Sequence, residues 1–178
     1  MTRLRLADLP DMHPCLLWDD ILAATVAVFE DRGSPTPFRC SLRFEEVPAY
    51  GTAEVDLEIV RSGVSGGAVG KARRTYEAHR LVELAAIAVA GLALFHGGGH
   101  QIRDVSLRGT SADYLVDHEG HLLEVAGRSR RSDFRSAWHV RWQRLVARGG
   151  AGFYLFVVEF ETPAGRLAFG TARVREET

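Results

Sequence analysis

Cysteine and lysine are scarce in this chain. Its 178 residues include two cysteines, Cys15 and Cys40, which are too few for a disulfide scaffold and lack the spacing of metal ligands. We therefore expect reduced thiols, as in proteins of the cytoplasm. Lys71 is the only lysine, so the second half of the chain contains no lysine.

The chain also lacks a strong net charge and a long apolar run. A net charge of −1 excludes the overall polyelectrolyte character of many nucleic-acid-binding and membrane-binding proteins. Residues 1–10 lack the apolar core of a signal peptide. The most apolar run, 81–95, contains Glu83 and is shorter than the about 20 residues of a bilayer span. We therefore expect a buried helix and no membrane partner.

What is present fits a single α/β domain, with a mixed sheet flanked by helices. We divide it into an N-terminal helix and hairpin extension (1–70), a core (71–160), and a terminal strand and tail (161–178). Hydrophobic spacing predicts these elements in chain order: a helix over 11–32, strands over 38–47 and 52–60, a helix over 71–95, a strand over 100–108, a hairpin over 109–128, a helix over 128–148, and strands over 153–160 and 166–174.

Residues 61–70 are rich in glycine and contain the Gly-x-Ser-x-Gly pattern over 63–67. In hydrolases this pattern forms a nucleophile elbow between a strand and a helix. The chain is small for that fold, and no oxyanion-loop motif precedes Ser65. We therefore predict a flexible linker here, with a serine hydrolase as the minor alternative.

The hairpin over 109–128 carries two acidic residues whose positions suggest a site. Alternate strand residues share a face, so Asp113 on the first strand and Glu124 on the second are expected close together on one side of the sheet. Two carboxylates inside a sheet are costly to bury unless a positive group, often a metal ion, lies between them. The pair therefore suggests a site in which a positive group, often a metal ion, lies between Asp113 and Glu124.

Glu83 is the charged residue of the apolar helix, where an unpaired carboxylate is expensive. Two interpretations stay open: Glu83 pairs with Arg80 or another arginine, or it points to the same site as Asp113 and Glu124. Glu77, about a turn and a half earlier on the helix, is the competing candidate for the second role.

The helix over 128–148 is the most basic part of the chain. Its aromatic residues recur at helical spacing and are expected to pack on the sheet. The arginines either solvate the remaining surface or form a cationic face for a phosphate backbone, where charge sets the affinity. The candidate nucleic-acid-binding residues are Arg130, Arg131, Arg135, Arg141 and Arg144.

From residue 71 onward the order of elements is helix, three strands, helix and strand, with acids on the first helix and on the second and third strands. This αβββαβ order resembles the PD-(D/E)XK restriction-endonuclease-like superfamily over residues 71–160. More narrowly, segments 108–114, 123–127 and 157–160 look like a group of uncharacterised prokaryotic proteins. The superfamily resemblance implies that Asp113 and Glu124 hold magnesium beside a scissile phosphate, with Glu83 as a possible helix acid.

The chain departs from that superfamily at one position. The family's Glu-x-Lys motif implies a lysine at position 126, which here is Ala126. Arg128, on the same strand face, offers positive charge as a candidate catalytic residue. Its guanidinium stays charged, so it is a poor replacement where deprotonation is required.

Two functions therefore stay open. The first is a metal-dependent nuclease without the usual lysine, acting on DNA or RNA. The second is a catalytically inactive binding module of the same fold, with a nucleic acid or a protein as its partner, in which Glu124 pairs with an arginine. The N-terminal extension either enlarges the sheet or makes a dimer contact.

Overall fold

One mixed sheet with helices on both faces forms the frame of the protein. The computed structural model describes residues 1–106, 113–148 and 152–171, and the described strands all belong to this sheet. The strands are β1 (Thr2–Arg5), β2 (Phe38–Val47), β3 (Gly51–Val60), β4 (Ile102–Val105), β5 (Tyr114–Val116), β6 (His121–Arg128), β7 (Phe153–Glu159) and β8 (Ala164–Gly170). The α-helices are α1 (Leu9–Met12), α2 (Asp19–Asp31), α3 (Gly66–Thr75), α4 (Ala78–His96) and α5 (Phe134–Arg148). The expected mixed sheet flanked by helices is confirmed.

The strand order in the sheet is β1-β3-β2-β8-β7-β6-β5-β4. Strands β4, β5 and β6 form an antiparallel meander, and β7 pairs in parallel with β6 after the crossover through α5. From α4 to β7 the order is thus helix, three strands, helix and strand. At the other end, the β2–β3 hairpin joins through β2, which pairs in parallel with β8. The N-terminal extension therefore enlarges the same sheet.

Two apolar layers cover the sheet. Residues of α2 and α4 pack on one face against Leu123, Tyr154 and Phe156, whereas α5 packs on the opposite face against Leu155 and Val157. Every residue of β7 is buried, as expected of a strand covered on both faces. The long apolar strand and the aromatic stripe of α5 therefore meet where the sequence pattern predicts.

Helix α4 is the one described helix that is long and apolar enough to cross a membrane. Most of it is buried inside the protein, beneath α2 and against the sheet. Such burial is typical of the core helix of a soluble protein.

Two predicted helices and the predicted linker differ from the structure. Residues 66–70 of the predicted linker are instead the first residues of α3. Ser65 Oγ accepts a hydrogen bond from the backbone N of Ala68 at 3.1 Å and caps this helix. The helix predicted over 71–95 is broken between α3 and α4, where Tyr76 and Glu77 have extended backbone angles. The helix predicted over 11–32 is likewise broken before α2. His13 precedes Pro14, and a residue before proline avoids the helical backbone region.

Candidate functional site

A cleft of about 520 Å³ opens beside the C-terminal half of β6. The short strand β5 pairs only with residues 121–123 of β6. Within the described residues, no strand covers that edge of β6 from Glu124 to Arg128. The cleft occupies this space between β6, α4 and α5. Its lining residues are Arg80, Glu83, Ile87, Asp113, Tyr114, Glu124, Val125, Ala126, Gly127, Arg128, Arg141 and Arg144.

The structure brings Asp113 and Glu124 together at the entrance to this open edge. Tyr114 pairs with Leu123, and continuing this register by one residue sets Asp113 opposite Glu124. The backbone N of Asp113 donates to the carbonyl of Leu123 at 2.8 Å. Asp113 Oδ2 accepts from the backbone N of Val125 at 2.8 Å. The aspartate therefore satisfies an amide of β6 that β5 is too short to pair.

Glu124 is the most deeply buried charge of the cleft, with 4% of its surface exposed. Its Oε1 is in contact with two guanidinium groups of α5. Arg141 Nε lies 3.0 Å away without completing a hydrogen bond, and Arg144 Nη2 donates to the same oxygen. Glu124 Oε2 is buried and has no hydrogen-bond partner in the described part of the chain. Both guanidinium groups thus face Oε1, whereas the lone pairs of Oε2 accept no hydrogen bond from a described residue.

Burial works against the charges of the cleft. It raises the pKa of Glu124, although Arg144 and Arg141 oppose that rise. It also raises the pKa of Asp113, against the hydrogen bond from Val125 and the two arginines. Burial and the nearby Arg128 guanidinium lower the pKa of Arg141. Shifted titratable groups that face one cleft are typical of a functional site.

The raised pKa of Asp113 predicts that Asp113→Asn stabilises the protein at neutral pH. Below the ordinary carboxyl value of 3.8 the side chain is protonated in both the folded and unfolded states, so the pKa shift costs nothing there. As the pH rises through the raised pKa of the folded state, the wild type must ionise in the cleft and loses stability. Asparagine avoids this loss and still accepts from Val125. We expect a melting temperature a few degrees higher at pH 7, because solvent screens part of the effect.

The matched control is Asp104→Asn. Asp104 also accepts from a backbone amide, that of Val105 at 2.7 Å, but it does not line the cleft. We expect the melting temperature of Asp104→Asn, measured by scanning calorimetry, to equal that of the wild type. A lower melting temperature for Asp113→Asn at pH 7 would show that the ionised carboxylate is stabilising, contrary to this account.

The remaining predicted catalytic residues also line the cleft. Glu83 is exposed on α4, and its carboxylate lies 3.0 Å from Arg80, as the pairing interpretation predicts. It also lines the cleft, and its role there stays a prediction. Glu77 precedes α4, lies outside the cleft and is 3.2 Å from His79. Arg128 donates to the carbonyl of Gly127 at 2.6 Å and extends the positive wall of the cleft.

The five predicted nucleic-acid-binding arginines divide between the cleft and the surface outside it. Arg141 and Arg144 point into the cleft, whereas the other three are exposed outside it. The backbone N of Arg131 donates to Glu161 at 2.8 Å, and Arg135 lines a separate shallow pocket. The tryptophans of α5 stack on each other with ring centroids 5.7 Å apart on the sheet-facing side. The aromatic stripe is therefore core, as predicted.

The donor set of the cleft is compatible with a divalent cation. The described residues contain no group of three or more histidine, cysteine, aspartate or glutamate side chains suited to hold a metal. Mg²⁺ nevertheless often binds through one or two carboxylates and completes its shell with water and substrate phosphate. The buried, unpartnered Oε2 of Glu124 opposite Asp113 is an oxygen of the required kind. Ala126 is 5% exposed at the cleft floor, and no lysine reaches it.

No protein-family model, curated protein or solved structure matches the chain. Its function must therefore be argued from the cleft itself.

Two polar residues of the cleft, Arg80 and Tyr114, are not among the site residues predicted from the sequence. The sequence favours Arg80 as a partner for Glu83, and in the structure it also adds a positive charge to the wall of the cleft. Tyr114 follows Asp113 directly, and its half-buried ring lines the cleft. Burial raises the pKa of Tyr114 to about 12, so it is a neutral hydrogen-bond donor at physiological pH. The adjacency of Tyr114 to Asp113 was the available signal.

Proposed function

We propose that this chain is a nuclease-like protein of the cytoplasm that binds the phosphate backbone of DNA or RNA in the cleft, with Mg²⁺ or Mn²⁺ held by Asp113 and Glu124. The observation that carries the proposal is Glu124 Oε2, which has no hydrogen-bond partner among the described residues. Glu124 stands opposite Asp113 in a cleft walled by arginines. Carboxylates suit the cation and guanidinium groups suit phosphate.

Each side of the cleft has its own part in this proposal. Asp113 and Glu124 would hold the cation. Arg80, Arg128 and Arg144 would contact phosphate oxygens, for which guanidinium has a matching geometry. A bound divalent cation supplies charge stabilisation at phosphate and acidifies a water molecule. No arginine releases its proton. Among the described residues of the cleft, Glu83 is therefore the carboxylate, besides the two proposed metal ligands, that is able to accept one.

The topology supports the proposal. The αβββαβ order from α4 to β7, with β7, β6, β5 and β4 adjacent in that sequence, agrees with a restriction-endonuclease-like core. Asp113 and Glu124 lie at the positions where that resemblance expects the metal ligands. Glu83, on the first helix of the core, reaches the same cleft.

A catalytically inactive binding module is the second candidate. Position 126 carries alanine in place of the lysine that helps to activate water in the restriction-endonuclease-like superfamily. The pairing of Glu124 with Arg141 and Arg144 provides a structural reason for this carboxylate. In that case the cleft arginines bind a nucleic acid or an acidic protein surface without a metal ion. A second copy of the chain is a further possible partner of this module.

Calorimetric titration of Mn²⁺ tests the proposed function. We expect saturable binding to the wild type and at least about 100-fold weaker binding to Asp113→Ala, because removal of even an outer-shell partner costs 10- to 100-fold. Asp104→Ala is the control, since it removes an exposed carboxylate outside the cleft. Wild type and Asp113→Ala are then incubated with plasmid and single-stranded DNA.

The outcomes separate the candidates. Metal binding and cleavage that both depend on Asp113 support a nuclease. Metal binding without cleavage leaves a metal-holding scaffold. No metal binding by the wild type rejects the metal site, and DNA retention that then depends on Arg144 but not on added metal supports the inactive module.

A further inference from the structure

Glu124 cannot bind a metal ion with both oxygens while it is also paired with Arg141 and Arg144. Its Oε1 faces both Arg141 and Arg144, although the same carboxylate is a proposed metal ligand. A divalent cation that approaches it meets two guanidinium charges in a partly desolvated cleft, where repulsion is stronger than in bulk water. Full use of the carboxylate by a metal therefore requires one arginine to move.

Arg144 is the arginine suited to move. Half of its side chain is exposed, 51%, against 25% for Arg141. Arg141 is also held on α5 by a bond from Nη1 to the carbonyl of Ala137 at 3.3 Å. Among the described residues, the polar partner of the Arg144 guanidinium is Glu124 alone. A turn of its long, flexible side chain brings it to the mouth of the cleft.

We propose that Arg144 exchanges Glu124 for a phosphate of the nucleic acid, and that this exchange couples nucleic-acid binding to metal binding. Without nucleic acid, Arg144 neutralises Glu124 and weakens the metal site. A phosphate offers the same guanidinium an equivalent charged partner, and Glu124 Oε1 then becomes available to the cation. This inference rests on the proposed function and adds to it a mechanism that delays metal loading until the ligand is bound.

Because linkage is reciprocal, metal must tighten nucleic-acid binding by the same factor by which nucleic acid tightens metal binding. The test measures the Kd of a short fluorescein-labelled single-stranded DNA by anisotropy, with and without saturating Mn²⁺ at constant ionic strength. Gel electrophoresis confirms that the DNA stays intact. The Kd of Mn²⁺ alone is measured by calorimetry. The variants are Arg144→Ala and, as a control, Arg128→Ala, which removes a cleft charge that does not contact Glu124.

We expect Mn²⁺ to tighten DNA binding by about tenfold in the wild type and in Arg128→Ala. In Arg144→Ala we expect about fivefold tighter binding of Mn²⁺ alone and a coupling of about twofold or less, because Glu124 is already released. Equal coupling in Arg144→Ala and wild type overturns the inference, as does unchanged affinity of this variant for Mn²⁺ alone. If the wild type binds neither Mn²⁺ nor DNA, both the proposed function and the Arg144 exchange are rejected. If it binds both, but neither changes the affinity for the other, only the exchange is rejected.

Discussion

Replacing Gly127 by alanine is expected to destabilise the protein by about 3 kcal/mol, at the upper end of the cost of overpacking a core. A Cβ atom at this position would lie 2.4 Å from the carbonyl oxygen of Val82 and 2.9 Å from its Cγ1. The carbonyl belongs to the backbone of α4 and cannot rotate away. Helix α4 must therefore move off β6, and urea denaturation of the variant measures the cost.

Gly67→Ala is the control for this change. A Cβ atom there meets only Ser65 Oγ, at 3.9 Å, in the first turn of α3. Alanine is expected to be neutral or to stabilise by up to about 1 kcal/mol, because it restricts the unfolded chain. Equal stability of Gly127→Ala and wild type would mean that α4 and β6 are less closely packed than described. The result also matters for the cleft, since α4 carries Glu83.

Introducing a lysine at the cleft floor is expected to have the largest effect on activity. In the proposed function, Ala126→Lys raises cleavage of single-stranded DNA in Mn²⁺ by at least about 100-fold, the lower range for a positioned acid or base. Ala126 lies between Glu124 and Arg128 on the cleft-facing side of β6. The neighbouring guanidinium groups are expected to lower the pKa of the new amine, so that a neutral fraction is available to accept a proton.

Ala126→Met is the control that distinguishes the effect of the lysine amine from the effect of a longer side chain. Methionine has an unbranched side chain that fills irregular space, so both variants carry a similar packing cost at this nearly buried position. We expect the methionine variant to remain at the wild-type rate. A lysine variant that folds and binds Mn²⁺ but cleaves no faster than the methionine variant would contradict the nuclease proposal and favour the inactive module.

The central pair of carboxylates could be predicted because strand geometry is local. The polar turn over 117–120 defines the hairpin, and alternation along two paired strands then places Asp113 and Glu124 on one face. The order of elements from α4 to β7 could be predicted in the same way, from apolar spacing and the turns between segments. The acidic residues were therefore visible before any tertiary contact was known.

Arg141 and Arg144 were predicted only as members of a larger cationic set. Which arginines face Glu124 could not be predicted, because this depends on how α5 rests on the sheet. The basic residues of this helix look alike in sequence, but only the turn that contains Arg141 and Arg144 faces Glu124. Arg80 comes from α4, and its direction depends on how that helix packs beside β6. The break between α3 and α4 was not predicted either. That break was missed because Tyr76 and Glu77 carry no proline or glycine signal.

The position of β8 has a consequence for synthesis on the ribosome. This strand comes after the seven other described strands in sequence, yet it lies between β2 and β7 in the sheet. Until residues 164–170 have left the exit tunnel, the hairpin of β2 and β3 has no bond to the strands that carry the cleft, and the edges of β2 and β7 are unpaired. Unpaired edges promote association with other chains. Until β8 pairs, these two edges are therefore the parts of the described sheet most exposed to such association.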